Sequence, residues 1–321
     1  MAVNFMDEAP DIIKSFLLYM QNIKGRSLKT IDEYYIDLRT FFRYINMSRK
    51  ISDAVFDEIK IDNVDVNLVK SVTLKETYEF MYFLQRNRNN GQAARARKSS
   101  SLRQFYKHLE RQNIIDVNPI KDLETPKRKK ALPKYLTLEQ SIELLNAVEG
   151  DNYYRDYCIL TLFLNCGLRL SELCGLNYSD IRSDNTMRVL GKGNKERIIY
   201  LNKACVDSIK AYMEVRPVDD LKDRHALFIS RNHNRMSPKT VQAMVYKYLE
   251  KIGLNAQGYS CHKLRHTAAT LMYQTGDVDI RVLKDILGHE NLGTTEIYTH
   301  LSNQQLKKAA ESNPLGKVKP K

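Results

Sequence analysis

Four short clusters in the second half of the 321-residue chain hold the side chains that phosphoryl transfer requires. They are GLRLSEL (167–173) with Arg169 and Glu172; GKG (191–193) with Lys192; HKLRH (262–266) with His262 and Arg265; and LGH followed by TEIYTH (287–300) with His289 and Tyr298. Displacement at a phosphate needs cations on the non-bridging oxygens, a nucleophile, and an acid for the departing oxygen. Two arginines, a lysine, imidazoles and a tyrosine supply that set without a metal. His262 and Arg265 are three apart, so on a helix they project to one side. Arg169 follows Gly167 at an expected abrupt turn, where Glu172 is close enough to orient its guanidinium. A tyrosine with its ordinary pKa near 10 needs a base and cations beside it before it can attack.

Each cluster alone has a plainer reading. His262 and Arg265 can be surface residues, and Arg169 with Glu172 a structural ion pair. The i, i+4 spacing of His262 and His266 suits zinc, but the residues between them include no Glu to serve as a base. GKG lacks the GxxxxGK[ST] spacing of a nucleotide-binding loop.

The elements that must position these residues are mostly helices. Before residue 125, apolar residues recur at helical spacing over 11–23, 27–45 and 93–112, and over 73–85 behind a Thr73/Glu76 capping box. After it, helices are expected over 138–148, 156–165, 237–251 and 264–275, with one exception. Residues 187–190 and 197–201 are β-branched-rich runs around a basic tip, which predicts a hairpin. The fold class is therefore mainly α: an all-helical first domain (1–124), a linker (125–134) in which prolines bracket Lys127, Arg128, Lys129 and Lys130, and a mixed, mostly helical domain with a small antiparallel sheet (135–321).

Charge points to the partner. With 51 Lys and Arg against 38 acids the net charge is +13, and residues 91–135 alone hold 12 bases against 4 acids. A polyanion, and so nucleic acid, is the expected ligand. Arg95, Lys98, Arg103 and Lys107 lie off the apolar face of the 93–112 helix; with the four linker bases and Lys239 they form the expected DNA-binding set. At 43% hydrophobic and 28% charged the composition is globular. The apolar stretch 158–166 is too short to cross a bilayer, and the first residues lack a signal-peptide pattern. Five cysteines without CxxC spacing predict reduced, buried thiols in a cytoplasmic protein.

GLRLSEL, GKGNKER, HKLRHTAATLM and LGHENLGTTEIYTHL, in this order and at these separations, resemble the tyrosine recombinase (phage integrase) family, most of all its Xer branch. SLKTIDEYYIDLRTFF, SSSLRQFYKHL and NPIKDLETPK in the first domain resemble that family's helical core-binding domain and linker, so nearly the whole chain is covered. The resemblance implies Tyr298 as the nucleophile, attacking a DNA phosphate to give a 3′-phosphotyrosyl enzyme and a free 5′ hydroxyl. It implies Arg169 and Arg265 as the phosphate clamp and Lys192 as the acid for the 5′ oxygen. His262 and His289 would bond the phosphate or accept the tyrosine proton, and Glu172 would be a supporting residue. No cofactor, metal or ATP is implied, because exchanging a phosphodiester for a phosphotyrosine conserves the bond. A homo- or hetero-tetramer on two DNA duplexes, passing through a Holliday junction, is implied as the assembly, with a nucleoid-associated location. A short helix is expected over 301–310, either docking on a neighbouring subunit or packing as a cap on its own chain. Two departures from the Xer pattern stand out: Cys261 replaces the usual Pro before the first His, which raises the expectation of thiol-sensitive activity, and the 46–74 stretch is long. The competing readings are type IB topoisomerase-like nicking and resealing, and a non-catalytic DNA-binding protein.

Overall fold

Helical periodicity governs the first half of the chain. In the computed structural model, which describes residues 5–124, 134–191, 195–275 and 279–288, the chain divides into two units, Met1–Lys130 and Ala131–Lys321. The first contains α1 (Phe5–Glu8), α2 (Asp11–Leu18), α3 (Leu28–Ser48), α4 (Val66–Ser71), α5 (Leu74–Arg86) and α6 (Gln92–Arg111). The helix expected over 11–23 changes character midway, since Tyr19–Ile23 is a π-helical turn. The capping box forms as the sequence predicts: Glu76 accepts from the Thr73 N–H at 2.8 Å and Thr73 Oγ1 from the Glu76 N–H at 3.2 Å. Phe16, Phe41, Phe42, Phe80 and Phe105 are fully buried and meet largely edge to face, as Phe41 and Phe80 do at 5.1 Å. The long 46–74 stretch is folded into this unit. It carries α4, buries Ile59, Ile61, Val64 and Val69, and is tied down by Arg43 Nε donating to Ile59 O at 2.8 Å.

The basic helix departs from expectation at Lys98. Its ammonium is buried and donates to Asp37 Oδ1 at 2.8 Å. Arg97 grips both oxygens of Asp37 and Ser101 donates to one of them. An enclosed carboxylate requires such partners, so Lys98 belongs to the interior, while Arg103 and Lys107 are exposed. Arg95 donates to Gln85.

The second unit is built on α8 (Tyr153–Cys166), which is apolar nearly all round and buries Ile159, Leu160, Leu162 and Phe163 completely. Before it lies α7 (Leu138–Asn146), opened by a Thr137/Gln140 capping box. After it come α9 (Leu170–Gly175), the strands β1 (Thr186–Leu190) and β2 (Glu196–Tyr200), and then α10 (Lys203–Val215), α11 (Pro238–Lys251), α12 (Cys261–Thr275) and α13 (Ile280–Leu287). β1 and β2 pair antiparallel, with Val189 opposite Arg197 and Met187 opposite Ile199, the expected hairpin. α8 packs against α10 and α12. α11 starts as a sequence reading predicts, with Ser237 Oγ accepting from the Thr240 N–H and Pro238 in the first turn. Among the described residues no helix is long and apolar enough to cross a membrane. All five cysteines are buried and free. Burial pushes the Cys261 thiol up to about 11, away from the depressed values of reactive thiolates.

Candidate active site

The turn that presents Arg169 is created by glycine. α8 ends at Gly167 with φ +59°, a left-handed cap that other residues adopt at a cost. A Cβ there would also lie 2.8 Å from Leu287 Cδ2, so the glycine lets α13 approach the end of α8. Two residues on, the chain re-enters a helix whose N-terminus Glu172 caps by accepting from the Arg169 N–H at 2.8 Å. That short α9 places Arg169 and Glu172 side by side.

Glu172 is the centre of the cluster. Its side chain is 2% exposed and holds Arg169 Nη1 at 2.7 Å on Oε1. Arg197 of β2 bonds both of its oxygens at 2.8 Å, and Arg265 Nη1 stands 3.8 Å from Oε2. Burial pushes this carboxyl up, but the hydrogen bonds from Arg197 and from Arg169 outweigh it and hold the group at about 2. Glu172 is thus an anion fixed among three guanidinium groups.

Arg265, on the second turn of α12, is 3% exposed and donates to Gly167 O at 2.6 Å and Leu287 O at 2.5 Å. Arg169 donates to Gly288 O at 2.8 Å, and its side chain is 35% exposed. His262 lies one turn before Arg265 and is exposed; its Nε2 is 3.1 Å from His266 Nε2, so one imidazole donates and the other accepts. Its ring reaches solvent, yet partial burial and then the cations Arg265, Lys263 and Arg169 all press its pKa below 6.5.

Arg169, Glu172 and Arg265 are therefore brought together, with His262 on the same helix as Arg265. Lys192, His289 and Tyr298 lie outside the described residues, as do Lys127, Arg128, Lys129, Lys130 and the 301–310 segment. The residues that precede Lys192 and His289 are described, however, and both reach the cluster. A Cβ on Gly191 would be 3.7 Å from Glu172 Oε1, and one on Gly288 would be 3.1 Å from an Arg197 nitrogen. Lys239 is exposed in the first turn of α11. Sequence reasoning singled out neither Arg197 nor the His262–His266 bond. The signal for Arg197 is a charged residue on the same strand face as the buried Ile199, two positions away.

Helices around a small hairpin, with three arginines gathered around one buried carboxylate, fit a catalytic domain of the tyrosine recombinase type. The phage integrase family model matches residues 134–305, and the chain belongs to that family, the tyrosine recombinases. It is 49% identical over 318 residues to the tyrosine recombinase XerC of Caldanaerobacter subterraneus subsp. tengcongensis, covering 98% of this chain and 90% of that protein. Identity to the XerC of Thermodesulfovibrio yellowstonii is 32%, covering 95% and 97% of the two chains. Among solved structures, the fold matches that of the XerH site-specific recombinase bound to difH substrate in a pre-cleavage complex, with a TM-score of 0.70 at 22% identity over 97% of this chain and 87% of that one.

Proposed function

We propose that this tyrosine recombinase cleaves and rejoins duplex DNA at a specific site, with Tyr298 as nucleophile and Arg169 and Arg265 on the scissile phosphate. The phenolic oxygen forms a bond to phosphorus while the bond from phosphorus to the 5′ oxygen breaks. The phenolic proton passes to an imidazole, His262 or His289, and Lys192 protonates the leaving 5′ oxygen. Attack of a 5′ hydroxyl from the partner duplex reverses these steps, so no external energy source enters. The supporting observation is the Arg169–Glu172–Arg265 cluster, which fixes two cations at the junction of segments leading directly to Lys192 and His289. Preorganised positive charge of this kind stabilises the transition state because it need not reorient as charge develops.

The first unit and the linker are read as one side of the DNA clamp, with Arg95, Arg103, Lys107 and the four linker bases on the DNA backbone, and Lys239 of the second unit is read as a further backbone contact. The active assembly is read as a tetramer on two duplexes, each exchange passing through a Holliday junction, in the cytoplasm and on the chromosome. Chromosome dimer resolution and the integration, excision or inversion of a DNA element all use this chemistry. Recovering covalent protein–DNA adducts from cells under denaturing conditions and sequencing the attached DNA tests the reading. Adducts concentrated at one site, and recombination between two copies of it, support it. Adducts scattered without sequence preference, with relaxation of any supercoiled plasmid, indicate a topoisomerase instead.

A further inference from the structure

Three consecutive backbone carbonyls at the end of α13 are each taken by a different arginine. Ile286 O accepts from Arg197 Nε at 3.0 Å, Leu287 O from Arg265 Nη2 at 2.5 Å, and Gly288 O from Arg169 Nη2 at 2.8 Å. The last carbonyls of a helix have no intrahelical partner, and cations complement the negative end of its dipole. Two of these three arginines are the proposed phosphate clamp. Arg197 is the third, and its bonds are directed differently: Nε goes to Ile286 O and both Nη atoms to Glu172.

Arg197 also lies between two glycines. A Cβ at Gly191 would be 3.7 Å from its Nη1, and one at Gly288 would be 3.1 to 3.3 Å from three of its side-chain atoms. Gly191 is closed against Lys195 by a 2.8 Å backbone bond, so Arg197 is set at the root of the hairpin, beside the residue that precedes Lys192 in the chain. One planar guanidinium thus joins the carboxylate that orients Arg169, the hairpin root and the last turn of α13. Lysine has a single nitrogen and cannot bridge both oxygens of Glu172 and a carbonyl together.

We propose that Arg197 is a positioning residue for strand cleavage: it holds Arg169 in place through Glu172 and holds the hairpin and the end of α13, so that the proposed acid Lys192 and the clamp stay in register. This rests on the proposed function above. Arg197→Ala and Arg197→Lys are compared with wild type on a nicked suicide duplex carrying the mapped site. One version has the normal 5′ oxygen as leaving group, and the other a 5′-bridging sulfur that leaves without protonation. The covalent adduct is expected to form about 10²-fold more slowly in both variants on the oxygen substrate, with duplex affinity at the wild-type level. The sulfur substrate is expected to recover part of that loss, because a displaced acid no longer matters, and the unrecovered part reports the disturbed Arg169. Wild-type rates in either variant would overturn the proposal. So would a loss of equal size on both substrates, since Arg197 would then not position the acid Lys192, or one accompanied by an equal loss of duplex binding, since Arg197 would then serve the fold alone. Absence of any adduct from the wild-type enzyme would instead count against the proposed function.

Discussion

Glu172 and Arg197 meet fork to fork: Arg197 Nη1 and Nη2 each lie 2.8 Å from a different oxygen of a carboxylate whose side chain is 2% exposed. A buried charge that loses its partner is costly, so Glu172→Ala, which takes the carboxylate from Arg197 and Arg169, is expected to destabilise the protein by about 3–5 kcal/mol. Urea unfolding at neutral pH checks this.

The same pair makes stability depend on pH. Glu172 titrates at about 2 in the fold against an ordinary 4.5. A depressed carboxyl stabilises the fold above its unfolded value, and that contribution is lost as pH falls through the folded one. Between pH 4.5 and 2 this group is expected to account for about 3 kcal/mol, at roughly 1.36 kcal/mol per pH unit. Urea midpoints over that range should fall less steeply in Glu172→Gln than in the wild type. Parallel slopes would remove Glu172 as the source.

Two glycines should resist replacement. Gly167 and Gly288 have φ of +59° and +63°, and a Cβ would crowd Leu287 at 2.8 Å in the first case and Arg197 at 3.1 Å in the second. Each Ala variant is expected to lose at least about 1–2 kcal/mol from backbone strain, more for Gly167→Ala because Leu287 is buried. Gly253, also left-handed at φ +69° but with open space around it, is the control that isolates the strain from the crowding. Thermal melts of the three Ala variants check the order.

Much of the scaffold is legible in the sequence because its signals are local. The Thr73/Glu76 box, Ser237-Pro238, and the β-branched runs on either side of the GKG tip each carry their own instruction. The cluster is legible in part, since Glu172 three residues after Arg169 is a local relation too. Arg197 is not, because its value lies in the distant Ile286 and Glu172, which only the packed hairpin brings within reach. α9 has six residues, too few to show a period, and α13 is recognised only by Leu283 and Leu287, buried beside Ala269 of α12. Lys98 misleads for the same reason: its helix looks basic on that side, but Asp37, sixty-one positions earlier, pulls it inward.

That difference predicts a division of labour on α6. Lys98→Ala leaves Asp37 short of a buried donor and should lower stability, whereas Lys107→Ala and Arg103→Ala should leave stability unchanged and weaken DNA binding. For every phosphate left without its cation, the plot of log affinity against log salt should become shallower by about 0.9. Changing Lys127, Arg128, Lys129 and Lys130 together to Gln should reduce the slope by several such steps. Thermal melts and duplex titrations across a salt series separate the two classes.

The chemistry itself is decided by which atom of the protein carries the DNA. Wild-type enzyme is trapped on a nicked duplex bearing its mapped site, the DNA is digested to a short remnant, and the linked peptide is sequenced by mass spectrometry. The expected product is a nucleotide joined through its 3′ phosphate to the phenolic oxygen of Tyr298, with a free 5′ hydroxyl on the released strand, and no adduct from Tyr298→Phe although it binds the same duplex. A linkage to another residue, a 5′-phosphate linkage, or an adduct from Tyr298→Phe would contradict it.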